Sequence, residues 1–127
     1  MMLRQWQIFI RKADSDFKVA GVLMRAEEIP IEQTLFHLQQ AVEKLLKSLL
    51  SFAGIDPPRT HDVEVLVEMC EQEGIELPEY VEEFPKLTPY AVELRYEIVN
   101  EAPPNAEHLL KLTGRFFQLA KNLTGIE

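Results

Sequence analysis

Apolar side chains recur every three or four residues along nearly the whole chain, and this spacing limits the fold more than any other feature of the sequence. The clearest run lies between Phe36 and Leu50, where one side of a helix would carry Leu38, Val42, Leu45, Leu46 and Leu49. This period is that of α-helices whose apolar faces pack against one another. The sequence therefore predicts an all-α protein.

Prolines and glycines divide this pattern into predicted helices. The first helix covers residues 6–24 and ends before Ile29-Pro30, because proline cannot extend the hydrogen-bond ladder and restricts the residue before it. The second covers residues 31–52, and Gly54 is suited to the left-handed conformation that closes many helices.

The second half of the chain predicts up to three further helices. Thr60 is placed as the N-cap of a third helix that Gly74 ends, and residues 76–86 predict a loop with at most one helical turn. Thr88-Pro89 marks the start of a fourth helix and Pro103-Pro104 separates it from a fifth. The expected architecture is an antiparallel up-and-down bundle of four to five helices, with the 127-residue chain as a single domain.

Charge and cysteine content exclude several classes of function. A net charge of -8 disfavours broad DNA or RNA binding, which needs a basic surface. The single cysteine excludes an intrachain disulfide and a thiolate-rich metal cluster, and it indicates a reducing, cytoplasmic setting. No apolar run approaches the ~18 residues of a membrane span. We therefore expect a cytoplasmic protein that does not associate with membranes.

The second predicted helix carries a polar stripe that consists of Gln40, Glu43, Lys44 and Lys47. One interpretation is a site for a phosphate-bearing ligand, with the lysines as donors and the glutamate orienting them. The other is a solvated helix face held by Glu–Lys pairs. Phe36 lies on the same side, where an aromatic ring has no packing role, and this favours a contact with a second subunit.

Histidines are the remaining candidates for a ligand contact or for proton transfer. His61 is placed in the first turn of the third helix, where local hydrogen bonding is the alternative to a functional role. His37 lies beside the polar stripe, at a position typical of an interface or surface histidine. Residues 37, 61 and 108 form no close ligand pairs, and no glycine-rich phosphate loop occurs, so neither a metal nor a cofactor is predicted.

Several short motifs follow one another in a characteristic order. The helical segment QQAVEKLLKSLL is preceded by a D-x-x-x-A element at residues 16–20 and is followed by Asp56-Pro57-Pro58, Thr60-His61-Asp62 and Arg95-Tyr96. This order resembles the HEPN family (higher eukaryote and prokaryote nucleotide-binding), whose members carry a Q-x-x-E-K-x-x-K-x-L helix, a proline-bearing connector and a T-H-D/S helix start. The resemblance spans residues 13–99.

The resemblance implies a dimeric helical bundle that pairs with a small nucleotidyltransferase encoded nearby, in some cases as toxin and antitoxin. The toxic relatives are metal-independent RNases whose motif is an arginine, four to six residues and a histidine. After Arg95 that histidine would fall at Asn100, Glu101 or Ala102, and none of these is histidine. Arg95 with Tyr96 is therefore either a phosphate contact in a cleft or a salt-bridged arginine beside a core tyrosine.

Three hypotheses of function follow. The first is a non-catalytic HEPN protein that forms a homodimer, pairs with a separate nucleotidyltransferase and binds nucleotide or RNA. The second is a metal-independent RNase toxin with a displaced active site, which uses Arg95 with His61 or His108. The third is a structural helical module that binds no small ligand.

Overall fold

A computed structural model describes residues 3–91 and 102–126 of the chain. Within these ranges the fold contains four α-helices and a run of 3₁₀ turns: α1 (Gln5–Arg25), α2 (Ile31–Phe52), α3 (Val63–Gln72), the 3₁₀ segment (Glu79–Tyr90) and α4 (Ala106–Thr124). No strand occurs in the described ranges, and the predicted all-α class is confirmed. None of the helices described is both long enough and apolar enough to cross a membrane.

The three long helices α1, α2 and α4 pack side by side, each in contact with the other two. Trp6 at the start of α1 meets Phe52 at the end of α2, with ring centroids 5.0 Å apart. Leu3 and Ile126 line the same cavity, so the start of α1 also lies beside the end of α4. These contacts make α1 antiparallel to both neighbours, as the sequence predicts for helices in a bundle.

Helix α2 is the centre of the molecule. It contacts α1, α3, α4 and the 3₁₀ segment, and 13 of its 22 residues are buried. Its aliphatic face forms much of the core, as the apolar period predicts. Because neighbours surround the helix, they also cover side chains on its polar side, which the sequence pattern alone does not indicate.

Helix α3 begins two residues later than predicted. Asp62 is its N-cap, with the carboxylate accepting a hydrogen bond from the backbone N–H of Glu64 at 3.0 Å. The hydroxyl of Thr60 instead accepts from the N–H of Asp62 at 3.1 Å. The predicted cap is therefore wrong because the stronger capping side chain lies two positions further on. His61 precedes the helix and does not lie in its first turn.

The 3₁₀ segment replaces the predicted loop and the predicted start of a fourth helix. It contains Pro85 and Pro89, which lack the N–H that an α-helical ladder requires at those positions. Its buried side chains lie three residues apart, which is the period of a 3₁₀ helix: Val81, Phe84, Leu87 and Tyr90. The rest of the predicted fourth helix falls on residues 92–101, outside the described residues.

Thr88 also differs from its predicted role. Its hydroxyl accepts a hydrogen bond from the backbone N–H of Val63, 3.3 Å away at the start of α3. It therefore satisfies one of the free N–H groups of α3 and does not cap a helix of its own. This bond ties the end of the 3₁₀ segment to the turn that carries His61.

Candidate functional site

Polar side chains, all of them buried or half-buried except one, join α1, α2 and the turn before α3. We call them the polar network, and its members are Asp16, His37, Gln39, Gln40, Glu43, Lys44, Lys47 and His61. Most of them come from one side of α2, because their spacing of three and four residues places them together on a helix. The network has two centres, each a carboxylate.

Asp16 is the first centre and is the member that α1 contributes. One of its carboxylate oxygens lies 3.0 Å from Nδ1 of His37. The other accepts a hydrogen bond from the ammonium group of Lys44, which makes an ion pair between α1 and α2. Only 15% of the Asp16 side chain and 21% of the Lys44 side chain are exposed, so water screens this pair much less than a surface pair.

Glu43 is the second centre and is the more deeply buried of the two. Its Oε1 accepts from the Gln39 amide at 3.1 Å and lies 2.8 Å from Nδ1 of His61, while Oε2 accepts from Lys47 at 3.0 Å. Burial by itself raises the pKa of Glu43, but the hydrogen bonds from His61, Gln39 and Lys47 outweigh it, and the pKa is lowered from its usual value of 4.5. Glu43 is therefore ionised near neutral pH.

His61 combines a fixed orientation with an accessible ring. An ionised carboxylate can only accept hydrogen bonds, so Nδ1 of His61 carries the proton that points to Glu43. The backbone carbonyl of His61 accepts a second bond from the Gln39 amide at 3.1 Å. The side chain is nevertheless 64% exposed. A carboxylate that orients an accessible imidazole is the arrangement that general acid–base catalysis uses.

A cavity of about 520 Å³ opens beside the network. We call it the connector cavity, because residues 56–59 of the α2–α3 connector form part of its wall. Lys47 and Arg59 bring positive charge to it, Asp56 brings a carboxylate and Phe9 brings an aromatic ring. Lys47 is the residue that belongs to both the cavity and the polar network. Its pairing with Glu43 fixes the position of its ammonium group.

The structure brings the predicted stripe together but does not leave it solvated. Glu43 and Lys47 are buried, and Gln40 and Lys44 are half-buried. The interpretation as a solvated face is therefore wrong, because α1 and the turn before α3 cover this side of α2. The Glu–Lys pairing that accompanied it is present between Glu43 and Lys47.

The remaining predicted residues fall into two groups. Phe36 is half-buried, and its ring meets the His37 ring edge-on at 5.0 Å, so it borders the network within this chain. Its predicted contact with a second subunit stays a prediction. Arg95 and Tyr96 lie outside the described residues, and their predicted roles also stay predictions.

Sequence reasoning missed two members of the network, Asp16 and Gln39. Asp16 was visible as the first residue of the D-x-x-x-A element, but its partners lie 21 and 28 residues away on α2. Gln39 is four residues before Glu43, a spacing that places both on one helix face. Its complete burial, with two hydrogen bonds from one amide group, depends on the turn that carries His61.

A metal site or a reactive thiol would need a particular arrangement of His, Cys, Asp and Glu side chains. Across 3–91 and 102–126, no group of three or more His, Cys, Asp or Glu side chains is arranged to hold a metal ion. Cys70 is buried in the core, and burial together with the charge of Glu71 raises the pKa of its thiol to about 12. A thiol with so high a pKa is a poor nucleophile.

Comparison with known proteins identifies the family. A model of the HEPN domain matches residues 6–123, which cover the described helices except for the first residue of α1 and the last residue of α4. A 49-residue segment, 39% of this chain, is 39% identical to a Methanocaldococcus jannaschii protein named "Putative toxin MJ1304". The matching segment spans 31% of that relative's length. No solved structure gives a significant match. The chain therefore belongs to the HEPN domain family.

Proposed function

We propose that this chain is a non-catalytic HEPN protein that forms a homodimer, pairs with a separate nucleotidyltransferase and binds the phosphate groups of a nucleotide or RNA. The binding role rests on the position of Lys47, which lines the connector cavity together with Arg59. The ion pair with Glu43 fixes the ammonium group of Lys47 in this position. Two cations that converge on a cavity are suited to phosphate oxygens. At about 520 Å³, the cavity falls in the usual range of small-molecule sites.

The non-catalytic part of the proposal rests on the sequence after Arg95. Residues 100–102 are Asn, Glu and Ala, where RNases of this family are expected to carry a histidine. Within the described residues, Lys44 and Lys47 are each already paired with a carboxylate. These ion pairs hold the two ammonium groups in fixed positions, which suits a surface that binds a ligand without reacting with it. Membership of the HEPN family supports the proposed homodimer and the proposed nucleotidyltransferase partner.

Two experiments test this proposal. For ligand binding, the full chain is titrated with ATP and with a fluorescent single-stranded RNA. Arg59→Gln is expected to weaken binding about tenfold, since it removes one charge-assisted contact, while Arg25→Gln at the far end of α1 leaves binding unchanged. Equal affinities for the two variants, or no binding to either probe, would remove the phosphate-binding role.

For the partner, the chain is co-expressed with a nucleotidyltransferase encoded beside it and purified by a tag on one protein. Recovery of both proteins in one complex is the expected result. Separate elution at micromolar concentration would contradict the pairing.

The second candidate is a metal-independent RNase toxin. A specific observation favours it: Glu43 orients the accessible imidazole of His61, so His61 could transfer a proton through Nε2. The similarity to a protein named as a toxin points the same way. Expression of the wild-type chain would then arrest growth and cleave RNA, and both effects would be lost in His61→Ala and in Arg95→Ala. A folded wild-type protein with neither effect contradicts the RNase hypothesis.

A further inference from the structure

A second cavity, of about 410 Å³, lies between the first half of α1 and the end of α4. We call it the α1–α4 cavity. It is separate from the polar network, because Asp16 is about 200° around the helix from Asp14, which lines the cavity. None of the residues discussed above as candidates for nucleotide, RNA or partner binding contributes to it.

Positive charge surrounds this cavity although the protein as a whole carries a net charge of -8. Arg11, Lys18 and Lys121 line it, and among the described residues Asp14 is the one that brings a carboxylate to it. Asp14 pairs with Lys18 at 2.9 Å, which neutralises one of the three cations. In the described part of the chain, Arg11 and Lys121 form no salt bridge, so the cavity keeps two positive charges that nothing there compensates.

The inner wall of the cavity is apolar. Ile10 is 3% exposed at its base, and the half-buried ring of Phe117 forms one side. The ring of Phe117 stacks on Phe17 with centroids 6.2 Å apart, and the ammonium group of Lys121 lies 5.7 Å from the centroid of the Phe117 ring. An aromatic wall beside Arg11 and Lys121 can accept a ligand that has both a flat apolar group and negative charge.

We propose that the α1–α4 cavity binds a small organic phosphate monoester. A phosphate monoester carries a charge of about -1.5 to -2 at pH 7, which matches the two uncompensated cations. The guanidinium group of Arg11 can hold two phosphate oxygens at once, and Lys121 supplies a second positive contact. The organic group of the ester lies against Phe117 and Ile10, where it removes apolar surface from water.

Calorimetric titration of the full chain with phenyl phosphate tests the proposal. Binding of phenyl phosphate is expected to be about tenfold tighter than binding of inorganic phosphate, because only the ester buries a ring. Arg11→Gln and Lys121→Gln should each weaken phenyl phosphate binding about tenfold. The matched control is Lys12→Gln, which removes an exposed cation next to Arg11 that does not line the cavity, and it should leave binding unchanged.

Three results would overturn the proposal. The first is no heat of binding with phenyl phosphate up to about 10 mM. The second is a loss of affinity in Lys12→Gln as large as that in Arg11→Gln, which indicates attraction to the surface in general. The third is equal affinity for inorganic phosphate and phenyl phosphate. Arg59→Gln distinguishes the two sites: binding of phenyl phosphate that is weakened by Arg11→Gln but not by Arg59→Gln occurs in the α1–α4 cavity, whereas the reverse result places it in the connector cavity and overturns this proposal.

Discussion

The polar network and the aromatic packing of α4 both hold elements of the bundle together, but by different interactions: the network joins α1, α2 and the turn before α3, and the aromatic packing joins α4 to the 3₁₀ segment. In the network, Asp16 and Glu43 make directional hydrogen bonds to side chains that lie up to 28 residues away. In the aromatic packing, Phe116 is completely buried and contacts Phe84, with ring centroids 5.5 Å apart. The first region depends on exact pairing of charges, and the second on shape and apolar area.

This difference separates positioning from stability. The attraction within a buried ion pair is largely offset by the cost of removing both charges from water, so its net contribution to folding is small. Burial of an aromatic ring carries no such cost. The network is therefore better explained by what it positions, namely the ring of His61 and the ammonium group of Lys47. The aromatic packing accounts for more of the free energy of unfolding.

The largest expected effect is in the aromatic packing. Phe116→Ala should lower the free energy of unfolding by about 3–5 kcal/mol, because it leaves a cavity beside Phe84. Urea denaturation followed by circular dichroism measures the change. Phe52→Ala is the matched control, since this ring is 47% exposed, and it should cost clearly less. Similar losses in the two variants would contradict the assignment of stability to the packing of α4.

The second largest change in stability is expected in the polar network. Glu43→Ala should cost about 3 kcal/mol, because it leaves Lys47 buried without its carboxylate and removes an acceptor from Gln39. Glu68→Ala, which removes an exposed glutamate of α3, should change stability by less than about 0.5 kcal/mol. The same denaturation experiment compares them. If both variants are as stable as the wild type, the network is not needed for the fold.

The stability that the polar network contributes should depend on pH. The pKa of Glu43 is lowered in the folded protein, because the hydrogen bonds from His61, Gln39 and Lys47 outweigh the opposing effect of burial. The contribution of Glu43 to the free energy of unfolding is therefore present above its unfolded pKa of about 4.5, and it is lost as the pH falls through the lower pKa of the folded protein. The stability difference between wild type and Glu43→Gln should be constant near neutral pH and should shrink as the pH falls below about 4.5. A difference that stays constant below this pH would show that Glu43 does not titrate as described.

The smallest change in stability is expected where α4 packs closely against α1. A Cβ atom at Gly114 would lie 3.1 Å from Cζ of Phe17, whereas one at Gly21 would meet only the end of Arg25 at 3.9 Å. Replacement of a helical glycine by alanine favours the helix by about 1 kcal/mol. Gly21→Ala should therefore stabilise the protein by about that amount, and Gly114→Ala by less, because Phe17 must move. Equal thermal shifts in the two variants would mean that the ring moves freely.

Much of the fold was predictable because its signals are local. The limits of α1 and α2 follow from apolar period and from Ile29-Pro30, which depend only on neighbouring residues. The 3₁₀ segment was not predictable in the same way. Its proline and glutamate content indicates a loop. The three-residue spacing of its apolar side chains can be assigned to a 3₁₀ helix only because α2 and α4 cover these side chains.

The candidate site was predictable in part for a related reason. Helical spacing places Gln40, Glu43, Lys44 and Lys47 on one face, and they do lie together. The spacing carries no information about Asp16, whose position opposite Lys44 depends on how α1 packs on α2. It likewise cannot show that the turn before α3 brings His61 to Glu43.

The all-α class and the HEPN family could be read from the sequence alone, because the helical period and each short motif are local and the order of the motifs is the order of the chain. The tertiary structure alone decided that the polar side of α2 is covered and internally paired. The helical period predicts which side chains share one face of a helix. What packs against that face depends on contacts between segments that are distant in the sequence. For the same reason, only the packed helices reveal that Arg11 and Lys121 meet at one cavity.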